Sequence, residues 1–522
     1  MRSELKELEG SFDLLIIGGG ISGAWTALDA AKRGLRTALV EQSDFASGTS
    51  SASSKLIHGG LRYLEHFHLG VVRRSLQERA LLMRLAPHRV KPLRFALPLY
   101  DTSRVSSLTL MAGLTLYDAL AGFPKGQGYR RYSREQLLSS YPYLNPDQLV
   151  GGFSYLDAQT DDARLTLELA LGAAEAGAVV ASRVKASGFL REGSRVIGAR
   201  CVDGLSGDAF DIRAAITLSA TGPWARPGSA GCRADGVRLT KGVHLVLPSL
   251  ETDHATLLMA GQDGRIFFLI PWHGSTLVGT TDTLWRGDPS SVEVLEEDVD
   301  YLLKEAGSKL RRPFERSQVR GSFAGVRVLR EADKKSESSL SREWELLGPE
   351  PGLFTTVGGK LTAAREEARL AVDAMVKAGG LTCRPCSTHS QPFPWAPSAP
   401  WKPWRAERVA ELAEAGLDAA SAGIAVSRYG TKVRHFLQII KDDSGLAARI
   451  HPAEPYVLGD LLMAARHERA LSLEDALRRR LPLSLLRPLS RDILERASAL
   501  MGRELGWDTP RRESEVATLL CP

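Results

Sequence analysis

Cysteine is scarce in this chain of 522 residues: there are five, at 201, 232, 383, 386 and 521. So small and odd a number excludes a disulfide framework and leads one to expect a reducing compartment. Cys383 and Cys386 form one C-x-x-C. A structural zinc needs two further ligands, and the pair abuts a proline-rich stretch rather than a βαβ unit, so no metal or thioredoxin-like role is expected. Long apolar runs are missing too. The start, MRSELKELEG, lacks the apolar segment of a secretory signal, so a cytoplasmic protein is expected. The most apolar stretch, 105–123, is interrupted by Asp118 and several hydroxyl residues, which argues against a spanning helix. It reads either as a core helix or as an amphipathic segment on a membrane surface, flanked by Arg89, Lys91, Arg94, Arg104, Lys125, Arg130 and Arg131. Charge is nearly balanced, 67 Lys+Arg against 61 Asp+Glu, and no basic stripe studded with aromatics points to nucleic acid. What remains is the composition of an ordinary folded chain, long enough for two or three domains.

Against these absences stands one complete unit, FDLLIIGGGISGAWTALDAAKRGLRTALVE from Phe12 to Glu41. Asp13 to Ile17 is a short apolar run suited to a covered parallel strand, and it leads into Gly18, Gly20 and Gly23. In G-x-G-x-x-G the first glycine permits the tight turn, the second lets backbone N–H groups approach a pyrophosphate, and the third lets helix and strand pack closely. The helix N-terminus adds roughly half a positive charge. A second strand ends at Glu41, close to the spacing of about 20 residues at which an acid accepts from ribose hydroxyls and repels a 2′-phosphate. The unit therefore predicts FAD or NAD rather than NADP.

After Glu41 comes SDFASGTSSASSKLIHGGLRYLEH. Its composition is that of a flexible linker, yet its position beside the dinucleotide strand suits Thr49, Ser50, Ser54, Lys55 and Leu56 to phosphates and a cofactor rim. His58, Gly59, Gly60, Arg62 and Tyr63 then place a titratable base beside a cation. IIGGGISGA at 16–24 and TSSASSKLIHGGLRYLEH at 49–66 resemble the FAD-dependent (respiratory) glycerol-3-phosphate dehydrogenase family. The resemblance implies an α/β fold: an FAD-binding Rossmann-like domain of the glutathione-reductase/D-amino-acid-oxidase type, an antiparallel β-sheet substrate domain and an α-helical C-terminal domain.

The remaining chain fits that order. Residues 70–86 read as a helix with Val72, Leu76, Ala80 and Met83 on its packed face and arginines elsewhere. Strands near 178–182, 196–202 and 214–219 return to the first sheet and end at Ala220, Thr221 and Gly222, which resemble a second flavin-contacting motif. From Gly236 to Thr283 the period changes to two, an antiparallel sheet. In the family resembled that sheet bears the substrate, with Lys241, Gly242, His244, Thr280, Thr281 and Asp282 matching; Arg327 and Arg342 match further substrate positions. Gly358, Gly359, Lys360 and Leu361 open another helix, whose N-terminus would face the pyrimidine end of the flavin. Six prolines mark 384–404 as a linker. The expected division is 1–90, 151–235 and 321–383 for FAD binding, 91–150 as a substrate- or membrane-facing segment, 236–320 as the substrate domain, 384–404 as linker and 405–522 as the helical domain.

Oxidising a secondary alcohol requires a base, an anchor and a stabiliser for the reduced cofactor. Arg62, Tyr63, Arg327 and Arg342 offer donors suited to a phosphate dianion, so a small phosphorylated substrate is expected. Arginine is too weak a base, which leaves His58 or His244 as catalytic groups alongside Arg327, with Lys360 on the flavin or the substrate oxygen. The resemblance implies sn-glycerol 3-phosphate oxidised to dihydroxyacetone phosphate, electrons passed to quinone, peripheral contact with the inner membrane surface, no nucleic acid, and a homodimer among the assemblies allowed. Its rivals are an oxidase using oxygen, a flavoenzyme for another polyol phosphate or an amine, and a catalytically weak membrane-associated flavoprotein. Ser22, Ser219, Val328 and Ser341-Arg342-Glu343 depart from the family pattern without removing a charged anchor.

Overall fold

Strand Ser11–Ile17 is buried along most of its length because both of its faces are covered. In this computed structural model, which describes residues 3–64, 67–123, 126, 128–225, 237–261, 263–330 and 344–520, residues of that strand serve two different cores. Leu14 and Ile16 face the helices Ile21–Lys32, Asp162–Glu175 and Ala364–Gly379, while Phe12, Leu15 and Ile17 face an antiparallel layer that includes Ala199, Cys201 and Ile212. Fully burying an aliphatic side chain contributes roughly 1.5–3 kcal/mol, so a strand with two apolar faces is fixed at the centre of its sheet.

The first sheet runs in the order Glu345–Glu350, Leu353–Val357, Ala209–Ser219, Ser11–Ile17, Thr37–Val40, Val179–Ala181. Its central pairings are parallel, with Leu14 opposite both Thr37 and Ile216. The turns at the carboxyl ends of Ser11–Ile17 and Ala209–Ser219 are therefore neighbours: Ala220 N donates to Ile17 O at 2.8 Å. That edge is where an open parallel sheet receives a ligand.

The second sheet places Val237–Pro248 between Gly321–Arg330 and Ser275–Gly279, both antiparallel to it, and continues through Ile266–Trp272 and Ala255–Met259. It does not stop at the substrate segment the period-two pattern marks. Lys91–Tyr100 pairs parallel with Ala255–Met259, and Leu149–Gln159 pairs antiparallel with Lys91–Tyr100, so parts of 91–159 extend the same sheet. Between them, helix Ser107–Leu120 buries Leu114, Tyr117 and Asp118 and leaves Leu108 73% and Leu116 37% exposed. Among the described residues no helix is long and apolar enough to cross a membrane.

Two expectations are corrected. Helix Leu69–Leu85 buries Val72, Leu76, Leu82 and Leu85, but Ala80 is exposed and Arg79 is buried, because Arg79 donates to Asp157 Oδ1 at 2.6 Å. The proline-rich stretch is packed rather than free. Trp395 is 2% exposed and its backbone N–H donates to Glu168 Oε1 at 2.9 Å. Beyond it, helices from Trp401–Glu414 to Thr509–Leu520 form a C-terminal unit, part of whose core, including Leu477 and Leu486, is continuous with Phe95 and Tyr155 of the second sheet.

Candidate active site

The opening turn is built for close approach. Gly18 has φ +112°, and a Cβ there would lie 2.5 Å from Ala220 O; a Cβ on Gly23 would lie 1.9 Å from Gly18 O. Only glycine lets helix Ile21–Lys32 sit this near the strand. At the helix N-terminus, Ile21 N donates to Ser50 Oγ at 2.9 Å, and a Cβ on Gly20 would come within 3.1 Å of that hydroxyl. Glu41 is buried at the end of the second strand, with Oε2 accepting from Gly19 N at 2.7 Å and Oε1 from Ser43 N at 2.8 Å. Burial pushes its carboxyl up and the two N–H bonds pull it down; the net shift is upward.

Gly18, Gly20, Ile21, Glu41 and Ser50 line one end of a cavity of about 1330 Å³, larger than the roughly 300–1,000 Å³ of a typical small-ligand pocket. Thr221, Gly222, Thr49, Ser50, Ser54 and Leu56 line it further along, and Gly358, Gly359, Lys360 and Leu361 close it with His58, Tyr63, His244 and Arg327. A glycine cradle that any Cβ would fill, an acid at the ribose distance, and a second helix N-terminus at the far end fit FAD.

The hydroxyl segment is held from beneath. Thr49 Oγ1 donates to Val326 O at 2.6 Å, and Ser53 N and Oγ donate to Asp162 Oδ2 at 2.9 and 2.7 Å. Lys55, expected among the phosphates, is corrected here. Its Nζ lies 2.6 Å from Asp162 Oδ1 with both side chains buried, away from the cavity. The positive φ of Lys55, +58°, turns its side chain under the loop instead of into it.

Ser54 Oγ shares a hydrogen bond of 2.9 Å with His244 Nε2. His244 is 1% exposed and stacks on Phe323, ring centroids 4.9 Å apart. Its Nδ1 has no partner among the described residues. Burial, then the charges of Arg327 and Lys55, hold the imidazole well below the usual histidine range, so it stays neutral at ordinary pH. Arg327 Nη2 donates to Thr280 Oγ1 at 2.8 Å, and Nη1 lies 3.3 Å from Asp282 Oδ1. Gly242 leaves the room: a Cβ there would meet Arg327 Nη2 at 2.5 Å. Lys241, one position from Gly242, falls on the opposite face of the strand and pairs with Asp298 at 2.5 Å, so its expected substrate role is also corrected.

His58 lines the cavity with its backbone N–H donated to Thr362 Oγ1 at 3.0 Å. The next residue, Gly59, donates to Tyr117 Oη at 3.0 Å, and Tyr117 in turn donates to Asp157 at 2.8 Å. Lys360 Nζ sits 3.7 Å from the centre of the Tyr63 ring. Arg62 belongs to the short helix Leu61–Leu64, and Arg342 lies outside the described residues. The residues that sequence reasoning missed are supporting acids. Asp162 and Asp157 hold the two loops, and Glu367 lies beneath Gly359, where a Cβ would meet its Oε2 at 2.7 Å. Burial pushes the Glu367 carboxyl up to about 8 against the pull of the Lys360 N–H and charge, and Oε2 has no hydrogen-bond partner among the described residues. The acidic pair Asp161-Asp162, ahead of an alanine-rich helix, was a visible N-cap signal; nothing local tied it to Lys55.

A family profile described as FAD dependent oxidoreductase matches residues 13–365, and one described as the C-terminal domain of alpha-glycerophosphate oxidase matches 386–512. The chain is 37% identical over 515 residues to glycerol-3-phosphate dehydrogenase 2 of Mycobacterium tuberculosis, covering 98% of this chain and 87% of that protein. It is 35% identical over 483 residues to aerobic glycerol-3-phosphate dehydrogenase of Staphylococcus aureus, covering 90% and 86%. The crystal structure of a glycerol-3-phosphate dehydrogenase from Bacillus halodurans complexed with FAD superposes with a TM-score of 0.81 at 29% identity, covering 99% of this chain and 95% of the other.

Proposed function

Since the chain belongs to the family of FAD-dependent glycerol-3-phosphate dehydrogenases, we propose that it oxidises the secondary alcohol of sn-glycerol 3-phosphate to dihydroxyacetone phosphate. The observation that carries this reading is one cavity with a dinucleotide cradle at one end and, at the other, a neutral buried histidine within the field of an oriented arginine. Bound FAD supplies the hydride acceptor. His244 takes the hydroxyl proton at Nε2, the atom that Ser54 now engages and whose ring plane Phe323 fixes. Between the two histidines this favours His244, which burial keeps neutral. Arg327, held flat by Thr280 and Asp282, binds the phosphate dianion, with Arg62, Tyr63 and Arg342 completing the anchor by family resemblance. Lys360 and the N-terminus of helix Ala364–Gly379 offer positive potential where the reduced ring holds its charge.

Electrons then pass to a membrane quinone, with 105–123 and its surroundings resting on the cytoplasmic face of the membrane. Phe67, Leu108 and Phe123, which are 83, 73 and 65% exposed, support that contact. The test is anaerobic bleaching of the flavin's visible absorbance by sn-glycerol 3-phosphate and by glycerol in parallel. Only the phosphate ester should bleach it, and His244→Ala should slow bleaching roughly 10²–10⁴-fold. Flavin left oxidised by both compounds would refute the substrate, and His58→Ala slowing it more than His244→Ala would refute the base.

A further inference from the structure

Two segments of the FAD-binding unit wall the dinucleotide end of the cavity: 41–48, through Glu41, Gln42 and Gly48, and 184–187, through Val184 and Lys185. They are bonded to each other, Arg183 N to Ser43 O at 2.9 Å and Val184 N to Glu41 O at 2.8 Å. Each is joined to a charge that does not line the cavity, Asp44 within the first and Arg183 immediately before the second. Both charges end on the same turn of the C-terminal unit, the π-helical Asp475–Arg480, a form of helix often found at functional sites. Arg479 Nε lies 2.5 Å from Asp44 Oδ2, and Arg480 pairs with the same oxygen. Arg183 Nη2 donates to both oxygens of Asp475 at 2.7 and 2.8 Å. Arg479 also pairs with Asp475, which closes the set Asp44, Arg479, Asp475, Arg183 around the back of the wall. Asp44 and Asp475 are 1% exposed and Arg480 1%. The turn is itself braced, since Leu471 N donates to Asp475 Oδ2 at 2.9 Å and Arg480 Nη2 to Glu468 O at 2.7 Å.

A surface brace on two loops would be screened and weak, but buried charges without partners are costly, so these two segments have one arrangement open to them while the C-terminal unit is docked. That arrangement is the one in which Glu41 caps the glycine turn through Gly19 N. We propose that the Asp475–Arg480 turn is a cofactor latch: through Asp44 and Arg183 the C-terminal helical unit fixes the adenosine end of the cavity in its binding shape, and so sets how tightly FAD is held. Asp44, Arg183, Asp475, Arg479 and Arg480 do not line the cavity, so they act as positioning residues. Preorganisation of this kind raises affinity by removing the ordering cost at binding. The inference rests on FAD occupying the cavity and not on the identity of the substrate.

The test measures FAD binding to apoprotein by quenching of flavin fluorescence, in the absence of substrate, so that a wrong substrate assignment leaves it intact. The variants are Asp44→Asn and Arg183→Gln, the second at a side chain 24% exposed, so that the new amide reaches solvent. Melting of each apoprotein is recorded alongside. The latch predicts a Kd for FAD raised fivefold or more in each folded variant, with Arg183→Lys, which keeps the charge, returning to within fivefold of the parent. A Kd within fivefold of the parent in Arg183→Gln, whatever its melting temperature, would overturn the proposal. So would a loss that Arg183→Lys does not recover, since that would mark a role in packing alone.

Discussion

Replacing Asp162 with asparagine removes the charge beneath the hydroxyl loop and leaves its shape. Asp162 accepts from Lys55 Nζ at 2.6 Å, from Ser53 N and Oγ at 2.9 and 2.7 Å, and from Ala163 N at 2.9 Å, with no exposed surface. In Asp162→Asn the Lys55 ammonium keeps Ser51 O at 3.1 Å and the faces of Trp272 and Phe323 at 5.2 and 5.1 Å, contacts it already has. Nothing new compensates it. An exposed pair would contribute about 0–1 kcal/mol, whereas stripping one partner from a buried pair costs roughly 3–5 kcal/mol. The region of both sheets matched at 13–365 spans about 350 residues, and at roughly 2.1 cal/mol/K per residue its unfolding entropy is about 0.7 kcal/mol/K, so the expected fall in Tm is about 4–7 °C. Calorimetry of parent and variant at equal FAD concentration reads this directly, because bound ligand shifts Tm by itself. Flavin reduction by substrate should slow as well, since Ser54 is adjacent to Lys55 in the loop that loses its anchor. A fall in Tm of less than about 1.5 °C, equivalent to roughly 1 kcal/mol on the same scale, would show that the pair behaves as though solvated and would refute the reasoning.

Gly23→Ala should yield protein with little or no FAD after purification, because its Cβ has 1.9 Å to Gly18 O and the helix must retreat from the turn; full flavin stoichiometry would contradict this. Glu367 has a folded-state pKa of about 8, above its ordinary 4.5, so its contribution to stability is complete below pH 4.5 and is lost as pH rises through about 8. The Tm advantage of the parent apoprotein over Glu367→Gln should therefore shrink from pH 5 to about 8 and level off beyond; parallel curves would dismiss it. His244 is shifted the other way: its stabilising contribution is complete above pH 6.5 and is lost progressively as pH falls from there to its lowered folded-state value, while the folded imidazole itself stays neutral over that window. The rate of flavin reduction at low substrate should accordingly hold through pH 6.5, and an acid limb centred there or higher would remove His244 as the base.

What the sequence made legible is what the chain keeps contiguous. Strand, glycine turn, helix and Glu41 lie within thirty consecutive residues, Phe12 to Glu41, and each constrains the next, so pattern alone placed them. The period-two sheet was legible for the same reason, and its alternation already implied that Lys241 and His244 point to opposite faces. What stayed hidden depends on residues far apart in sequence. The ammonium of Lys55 resembles a phosphate ligand until Asp162 comes up beneath it, and Arg79 resembles a solvated arginine until Asp157 draws it inward and turns Ala80 out to solvent. The prolines of 384–404 mark a stretch that cannot be helical throughout. They do not reveal that Trp395 would find a seat between Arg89 and Arg164, whose guanidinium carbons lie 5.9 and 5.8 Å from its ring.

These distant pairs concentrate on one element. Helix Asp162–Glu175 sends Asp162 to Lys55 in the hydroxyl loop, Arg164 to Glu468 of the C-terminal unit at 2.6 Å, and Glu168 to His88 at 2.9 Å and Arg89 at 2.5 Å ahead of the second sheet. Buried ion pairs are weak evidence for stability, because apolar residues of equal volume often do as well. They differ from apolar contacts in their tolerance of error. A helix packed by alanine and leucine alone can slide or rotate by a fraction of a turn at modest cost, whereas the same slip here would strip partners from three buried charges at once. His244 stands on the second sheet and the dinucleotide cradle on the first, so the cavity they share keeps its shape only while the two sheets hold one relative position. This helix is the element that touches the cradle's loop, the approach to the second sheet and the C-terminal unit together. Its charges make that position the one arrangement without an unpaired ion.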